Sequence, residues 1–181
     1  FYRKPKTLEE SFEIYEKFVR RVRELKIIDK DAPICFVFDS VAAMIPSSQY
    51  GKNFSDLNMN DMTALARSMS IGMKVISLLA EEYNVLTLFI NQIREKPGVM
   101  FGDPTTSPGG NALKFFASQR INLGSSKDTK GEGTNKVVVG NTVTAVFIKN
   151  KVSKPFVKAK WKFTFGADGS GEIDNLGTAI E

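Results

Sequence analysis

The chain has 181 residues, 42% hydrophobic and 25% charged, with a formal net charge of +5. This is ordinary for a globular domain with a real core, and no apolar run approaches the length that crosses a bilayer. With no histidine and one cysteine, Cys35, the chain excludes Ser-His-Asp triads, most zinc sites and any internal disulfide, which suits a reducing compartment.

In chain order, Thr7-Leu8-Glu9-Glu10 reads as a capping box that opens a helix. Leu8, Phe12, Tyr15, Phe18, Val22 and Leu25 follow at helical spacing. Ile34 to Phe38 is a continuous apolar run, read as a buried parallel strand with Cys35 as a small core residue. It stops at Asp39-Ser40. A polar loop, roughly Pro46 to Asn60, carries Tyr50, Gly51, Lys52 and Phe54. A long helix follows, about Asp61 to Tyr83, with Leu65, Met69, Met73, Ile76 and Leu79 on one face. A second buried strand, Val85 to Ile90, stops at Asn91-Gln92.

The segment after it, Asn91 to Gly110, is dense in proline and glycine and predicts a loop of about eighteen residues. Val99-Met100-Phe101 stands near its middle. A helix from about Asn111 to Ala117 and a third strand around Arg120 to Leu123 complete a strand–helix–strand–helix–strand order. That order predicts a parallel α/β sheet.

The character then changes. Ser125 to Asn135 is rich in Gly, Ser and Lys and predicts a flexible segment. Val137 to Lys149 and Val157 to Phe165 alternate instead, which predicts an antiparallel extension with one wet, basic face. From Ala145 to Phe165 there are lysines at 149, 151, 154, 158, 160 and 162 and no acid. Residues 166–181 read as a linker and the start of a further domain.

Ligands of open α/β sheets bind at the carboxyl ends of the strands. Asp39 ends one strand, where a carboxylate either holds Mg²⁺ on a bound nucleotide or simply caps a turn. Asn91-Gln92 end the other. An amide there either senses a phosphate or forms a turn. Lys149 and Lys151 flank a strand end and either reach an anion or form a solvated basic turn. No phosphate cradle of the G-x-x-x-x-G-K-[ST] type is present, since the Gly-Lys pair at Gly51-Lys52 is followed by Asn53 and preceded by Pro46 in place of the first glycine. The long loop suits single-stranded nucleic acid. Arg94 and Lys96 offer charge, and Val99, Met100 and Phe101 offer stacking surface. Gly109-Gly110-Asn111 precede a helix, where backbone N–H groups can meet a phosphate.

The stretches "VFDSVAAMIP", "LARSMS", "LFINQIREKPGVMFGDPTTSPGGNALKFFASQRI" and "IKNKVSKPF" resemble the bacterial RecA recombinase family in order and spacing. The resemblance runs from the first helix to about Gly177. It implies a RecA-type P-loop ATPase core, of which this chain is the second half, in a phage or mobile-element version. It also implies ATP and Mg²⁺ as cofactors, and single-stranded DNA, homologous duplex DNA and the protein's own copies in a helical filament as partners. The implied setting is recombination, repair and the SOS response in the cytoplasm. Asp39 and Ser40 match the nucleotide site, Asp39 near Mg²⁺. Gln92 matches the γ-phosphate sensor. Lys149 and Lys151 match the pair that reaches the neighbouring subunit's ATP. Met62, Arg67, Ser70 and Lys74 match DNA-facing positions of the first loop and its helix, and Ile93 to Gly110 is the second loop.

There are departures as well. Pro97 replaces an aliphatic wedge, Glu95 adds an acid, and Lys74 replaces an arginine. Thr144 and Val146 stand where relatives carry basic residues of a secondary DNA site. The phosphate cradle and catalytic glutamate are expected upstream of Phe1. The alternative reading is an ATPase-silent module that binds single strands or interferes with a filament.

Overall fold

The computed structural model describes residues 2–95, 98, 105–166 and 168–174, with the side chains of Phe54, Met59, Asn60 and Met62 outside that description. The chain divides into two units, Phe1–Phe116 and Ala117–Glu181.

In the first unit, α1 (Leu8–Glu24) opens at Thr7, whose hydroxyl accepts the Glu10 N–H at 3.1 Å. The Glu10 carboxylate closes the cap one residue early, on the Lys6 N–H at 2.6 Å. Strand β1 (Ile34–Phe38) pairs in parallel with β2 (Val85–Phe89), Ile34 opposite Val85 through to Phe38 opposite Phe89. The crossover between them contains α2 (Met59–Glu82). Tyr15, Val19 and Val22 of α1 and Ile76 and Leu79 of α2 are buried with Ile34, Phe38 and Val85. Phe38 and Phe89 stack with ring centroids 4.6 Å apart. A second cluster, Leu8, Val41, Met69, Met73 and Ala112, continues the core beyond the strand ends. Thr63–Glu82 is long and apolar enough by composition to cross a membrane. Here its Met69, Met73, Ile76 and Leu79 edge is buried in the core.

Both strands were expected to be buried on each face, and they are not. Cys35 is exposed rather than a core residue, and Val37, Leu86 and Leu88 beside it are 43–57% exposed. Successive strand side chains point to opposite faces, and the helices cover only one of them.

The long loop is narrower at its base than the sequence suggests. Strand β3 (Arg94–Glu95) pairs antiparallel with β4 (Thr105–Thr106), Arg94 opposite Thr106. Lys96, Pro97, Val99, Met100 and Phe101 lie outside the described residues. Helix α3 (Ala112–Phe116) closes the unit.

The second unit is a four-stranded antiparallel sheet in the order β5 (Gln119–Lys130), β6 (Val137–Asn150), β7 (Lys158–Phe165), β8 (Gly171–Asp174). The predicted third parallel strand is therefore β5, paired with β6 and not with β2. Among the described residues the parallel sheet has two strands, and the antiparallel strands form a sheet of their own. Residues 125–130, expected to be flexible, continue β5 because β6 supplies backbone partners for each, and the Thr142 hydroxyl donates to Asp128 at 2.9 Å. Residues 171–174, read as linker, turn back through Gly166–Ser170 and pair with β7.

One close approach sets how α1 and α2 meet. A Cβ at Gly72 would lie 2.0 Å from Cε2 of Phe12, and the Phe12 ring already sits edge-on to Phe38 at 6.0 Å. Gly72→Ala is expected to destabilise the fold by about 1–3 kcal/mol through overpacking, despite alanine's better helix propensity. Urea unfolding checks this, and an unchanged or higher midpoint would show that the Phe12 ring yields freely.

Candidate nucleic-acid and phosphate sites

At the carboxyl end of the parallel pair, Val41 N–H donates to the Ile90 carbonyl at 3.0 Å, so Asp39-Ser40 and Asn91-Gln92 emerge on the same edge. The Asp39–Ser40 peptide is cis. The side chains of Asp39 and Gln92 are exposed. Asn91 has a different role. Its Nδ2 donates to the Pro108 carbonyl at 2.9 Å and its Oδ1 accepts the Gln92 N–H at 2.9 Å. Asn91 therefore ties the far end of the loop back to the strand from which the loop departs.

That tie seats the Gly109-Gly110 turn on α2. Both glycines have positive φ, +87° and +71°. A Cβ on Gly109 would come within 3.3 Å of Val41 and Met69, and one on Gly110 within 2.8 Å of the Ala66 Cβ. Arg94, Thr106, Ser107, Gly109 and Gly110 then face Thr63 and Ala66 across an open groove of about 370 Å³. Arg67 is exposed on the next turn of α2, its guanidinium donating to Thr63 at 2.6 Å. Ser70 and Lys74 continue the same exposed stripe, with the Ser70 hydroxyl donating to the Ala66 carbonyl. Asn111 is exposed at the start of α3. Of the residues expected to face DNA, the fold thus gathers Arg94, Gly109 and Gly110 around one groove, with Arg67, Ser70 and Lys74 leading away from it. Met62, Lys96, Val99, Met100 and Phe101 lie outside the described side chains.

Two carboxylates hold the first loop in place, and sequence reading singled out neither. Glu9 accepts from the Ser47 N–H and hydroxyl, both at 2.8 Å, and from the Ser68 hydroxyl at 2.6 Å. Burial pushes its pKa up, but the bonds from Ser68 and Ser47 outweigh it and leave it below the usual carboxylate value. Asp61 accepts from Lys52 Nζ and from the Asn58 N–H, each at 2.8 Å, and its backbone carbonyl accepts from Gln49. The Lys52 bond first, then that of Asn58, lower the Asp61 pKa. The spacing of Asn58 and Asp61, three apart at a helix start, was the signal available for this cap.

In the second unit a bulge between Arg120 and Ile121 brings Arg120 opposite Lys149. Asn150, between the two lysines, organises the turn. Its Oδ1 accepts from Gln119 Nε2 at 3.1 Å and from the N–H groups of Val152 and Ser153 at 3.2 Å, while Lys151 N–H donates to the Ser118 carbonyl. Partial burial, and then the like charges of Lys151 and Arg120, push the Lys149 pKa below the usual lysine value. Three cations held together against their own repulsion form an anion site. Arg120 was not singled out from the sequence, because only the bulged register brings it there.

The residues present fit the margin of a nucleotide site. Asp39 is a lone carboxylate, which suits Mg²⁺ held mainly by phosphate oxygens and water. No group of three metal-ligating side chains occurs among the described residues.

The architecture is a mixed α/β one with a Gly-Gly turn docked on a helix at the strand ends. A family model of the RecA N-terminal domain matches residues 2–170, and the chain belongs to that family. It is similar to Protein RecA of Lactococcus lactis subsp. cremoris (strain MG1363), 39% identical over 157 residues, which is 86% of this chain and 40% of the relative. Protein RecA of Streptococcus sanguinis (strain SK36) is 38% identical over 159 residues, covering 86% and 41%. Protein RecA of Streptococcus equi subsp. zooepidemicus (strain MGCS10565) is 39% identical over 142 residues, covering 78% and 37%. The chain spans about two fifths of the length of these curated relatives.

Two outcomes follow from this geometry. Lys149 has a depressed pKa, so it loses its proton at lower pH than an ordinary lysine, and anion affinity falls as pH rises through that value. Titration with inorganic triphosphate should show the decline starting earlier than for a free lysine. Lys149→Arg, which stays charged, should move the decline upward, and identical pH profiles would remove Lys149 from the anion site. Gly110→Ala should displace the turn from Ala66 and weaken single-strand binding in the intact protein with little change in its far-UV circular dichroism. Unchanged affinity would mean that the groove is not the contact.

Proposed function

We propose that this chain is the second half of a RecA-type P-loop ATPase core. The intact protein is then an ATP-dependent homologous-recombination protein that forms filaments on single-stranded DNA and promotes strand exchange with a homologous duplex. Residues 1–165 belong to the half-core, and the segment from 166 onward leads toward a C-terminal domain. Family membership supports this reading. So does the uncovered apolar face of β1 and β2, since parallel strands are normally covered on both faces. A phage or mobile-element origin, a cytoplasmic location and a part in repair and the SOS response belong to the same proposal.

One observation carries the coupling of nucleotide to DNA. The segment leaving β2 at Gln92 returns to the same strand end through the Asn91–Pro108 hydrogen bond, and the groove residues lie along it. A displacement at Gln92 is passed directly to Arg94 and the Gly-Gly turn. ATP with Mg²⁺, when bound in the assembled protein, supplies the phosphates that Gln92 senses, with Asp39 near the metal. Lys149 and Lys151 offer positive charge to a neighbour's phosphates. Arg94 and the Gly109-Gly110 turn hold the DNA backbone, with Arg67, Ser70 and Lys74 continuing the track, joined by Met62, Lys96, Val99, Met100, Phe101 and Asn111.

Lys151→Ala in the intact protein should lower DNA-stimulated ATP hydrolysis by roughly a hundredfold, the scale of losing one preorganised charge at a transition state, while the thermal unfolding midpoint stays unchanged. Steady-state hydrolysis on poly(dT) measures this. Wild-type turnover by the variant would remove the role in the neighbour's site, and an intact protein that forms no filament on poly(dT) would defeat the whole reading.

A further inference from the structure

Lys158, Lys160 and Lys162 alternate along β7, so all three lie on one face, about 6.6 Å between neighbours at about 3.3 Å per residue. The register gives their surroundings. Lys158 stands opposite Val146, Lys160 opposite Thr144 and Lys162 opposite Thr142. Across β6 those residues face Asn122, Gly124 and Ser126 of β5. Directly opposed residues share a face. A row of lysines therefore runs beside two rows of small, mostly polar, uncharged residues.

The acids of this face sit at its other end. Asp128 accepts from Thr142, Asp174 stands opposite Lys162, and Glu172 opposite Thr164. The Lys158–Lys160 end has no acid in register with it. Both lysines are exposed, and β8 begins to pair only at Lys162. Lysines on an edge strand can serve simply to prevent edge-to-edge pairing. That task does not call for several cations, without an acid, on one face beside a row of hydroxyls.

We infer that Lys158 and Lys160, with Thr144 beside them, hold the phosphodiester backbone of a second nucleic-acid molecule. They do so one strand over from Thr144 and Val146, where basic residues would stand in related chains. The lysine spacing is of the same order as that between successive phosphates along a strand. Thr142, Thr144, Ser126 and Asn122 add neutral donors that suit phosphate oxygens. A membrane surface fits less well, because Val146 is the one apolar side chain in these three rows and lipid binding needs an apolar wedge. This inference rests on the recombinase reading for the identity of the second molecule, a duplex. It does not rest on that reading for the existence of the anion surface.

The test uses the intact protein assembled on unlabelled single-stranded oligonucleotide with ATP and Mg²⁺, then titrated with a fluorescent duplex at several salt concentrations. The K158A/K160A double variant should assemble on the first strand as wild type does. It should bind duplex several-fold more weakly, with a salt slope shallower by about 1.8 for two lost phosphate contacts. Adding T144K/V146K to the double variant should restore duplex binding, a rescue that a general folding defect would not allow. Unchanged duplex binding by the double variant overturns the inference, and increased aggregation would then mark the lysines as edge guards. If wild type does not assemble on the first strand, the recombinase reading fails. Direct titration with the same duplex, a single strand and anionic phosphatidylserine vesicles still decides this surface. Loss of nucleic-acid binding in the variant supports it, and loss of vesicle binding alone overturns it.

Discussion

The hydrogen bond from Asn91 to the Pro108 carbonyl organises the first unit's functional edge. A long excursion from a strand end has many places to return, and loop-closure entropy discriminates weakly among them. One buried-edge amide selects the return point, and close packing does the rest. With Pro108 held, Gly109 and Gly110 fall against Val41, Met69 and Ala66, where no larger residue fits their conformation. The groove between α2 and the β3–β4 ladder is a consequence of that docking.

Electrostatic anchors of two kinds surround this arrangement. Glu9 and Asp61 are carboxylates satisfied by several donors, and they hold the segment between β1 and α2 against both helices. Their charge is answered within the fold. Arg120, Lys149 and Lys151 are the opposite case, like charges kept together by a bulge and an asparagine-centred turn, with Lys149 depressed in pKa as a result. The first kind stabilises the loops. The second stores an affinity for anions that only a bound anion relieves.

Much of the fold was legible in the sequence. The capping residue Thr7, the two parallel strands, the long crossover helix and the alternation through residues 158–165 appear where periodicity predicted them. Other parts were not legible, for identifiable reasons. Cys35 reads as a core residue because an apolar run looks the same whether one face or both are covered. Residues 125–130 read as a flexible segment because glycine, serine and lysine are poor strand formers, yet pairing with β6 overrides weak propensity. Of the candidate site, Asp39, Gln92, Arg94 and the Gly-Gly turn were found from strand ends and turn chemistry. Glu9, Asp61 and Arg120 were missed, since their partners lie on other elements.

By itself the sequence determined the element types, the strand ends where ligands gather, the family and the excess of lysine between 145 and 165. These follow from local spacing and from the chemistry of individual residues. The tertiary structure alone decided which asparagine is a tie rather than a sensor and which glycines touch a helix. It also decided which lysines stand opposite Thr144 and Val146. Those facts depend on register and on close approach between segments distant in the chain. A one-residue slip in register would exchange the two faces of the second sheet. Periodicity along one strand carries no information about which partner residue lies across from it.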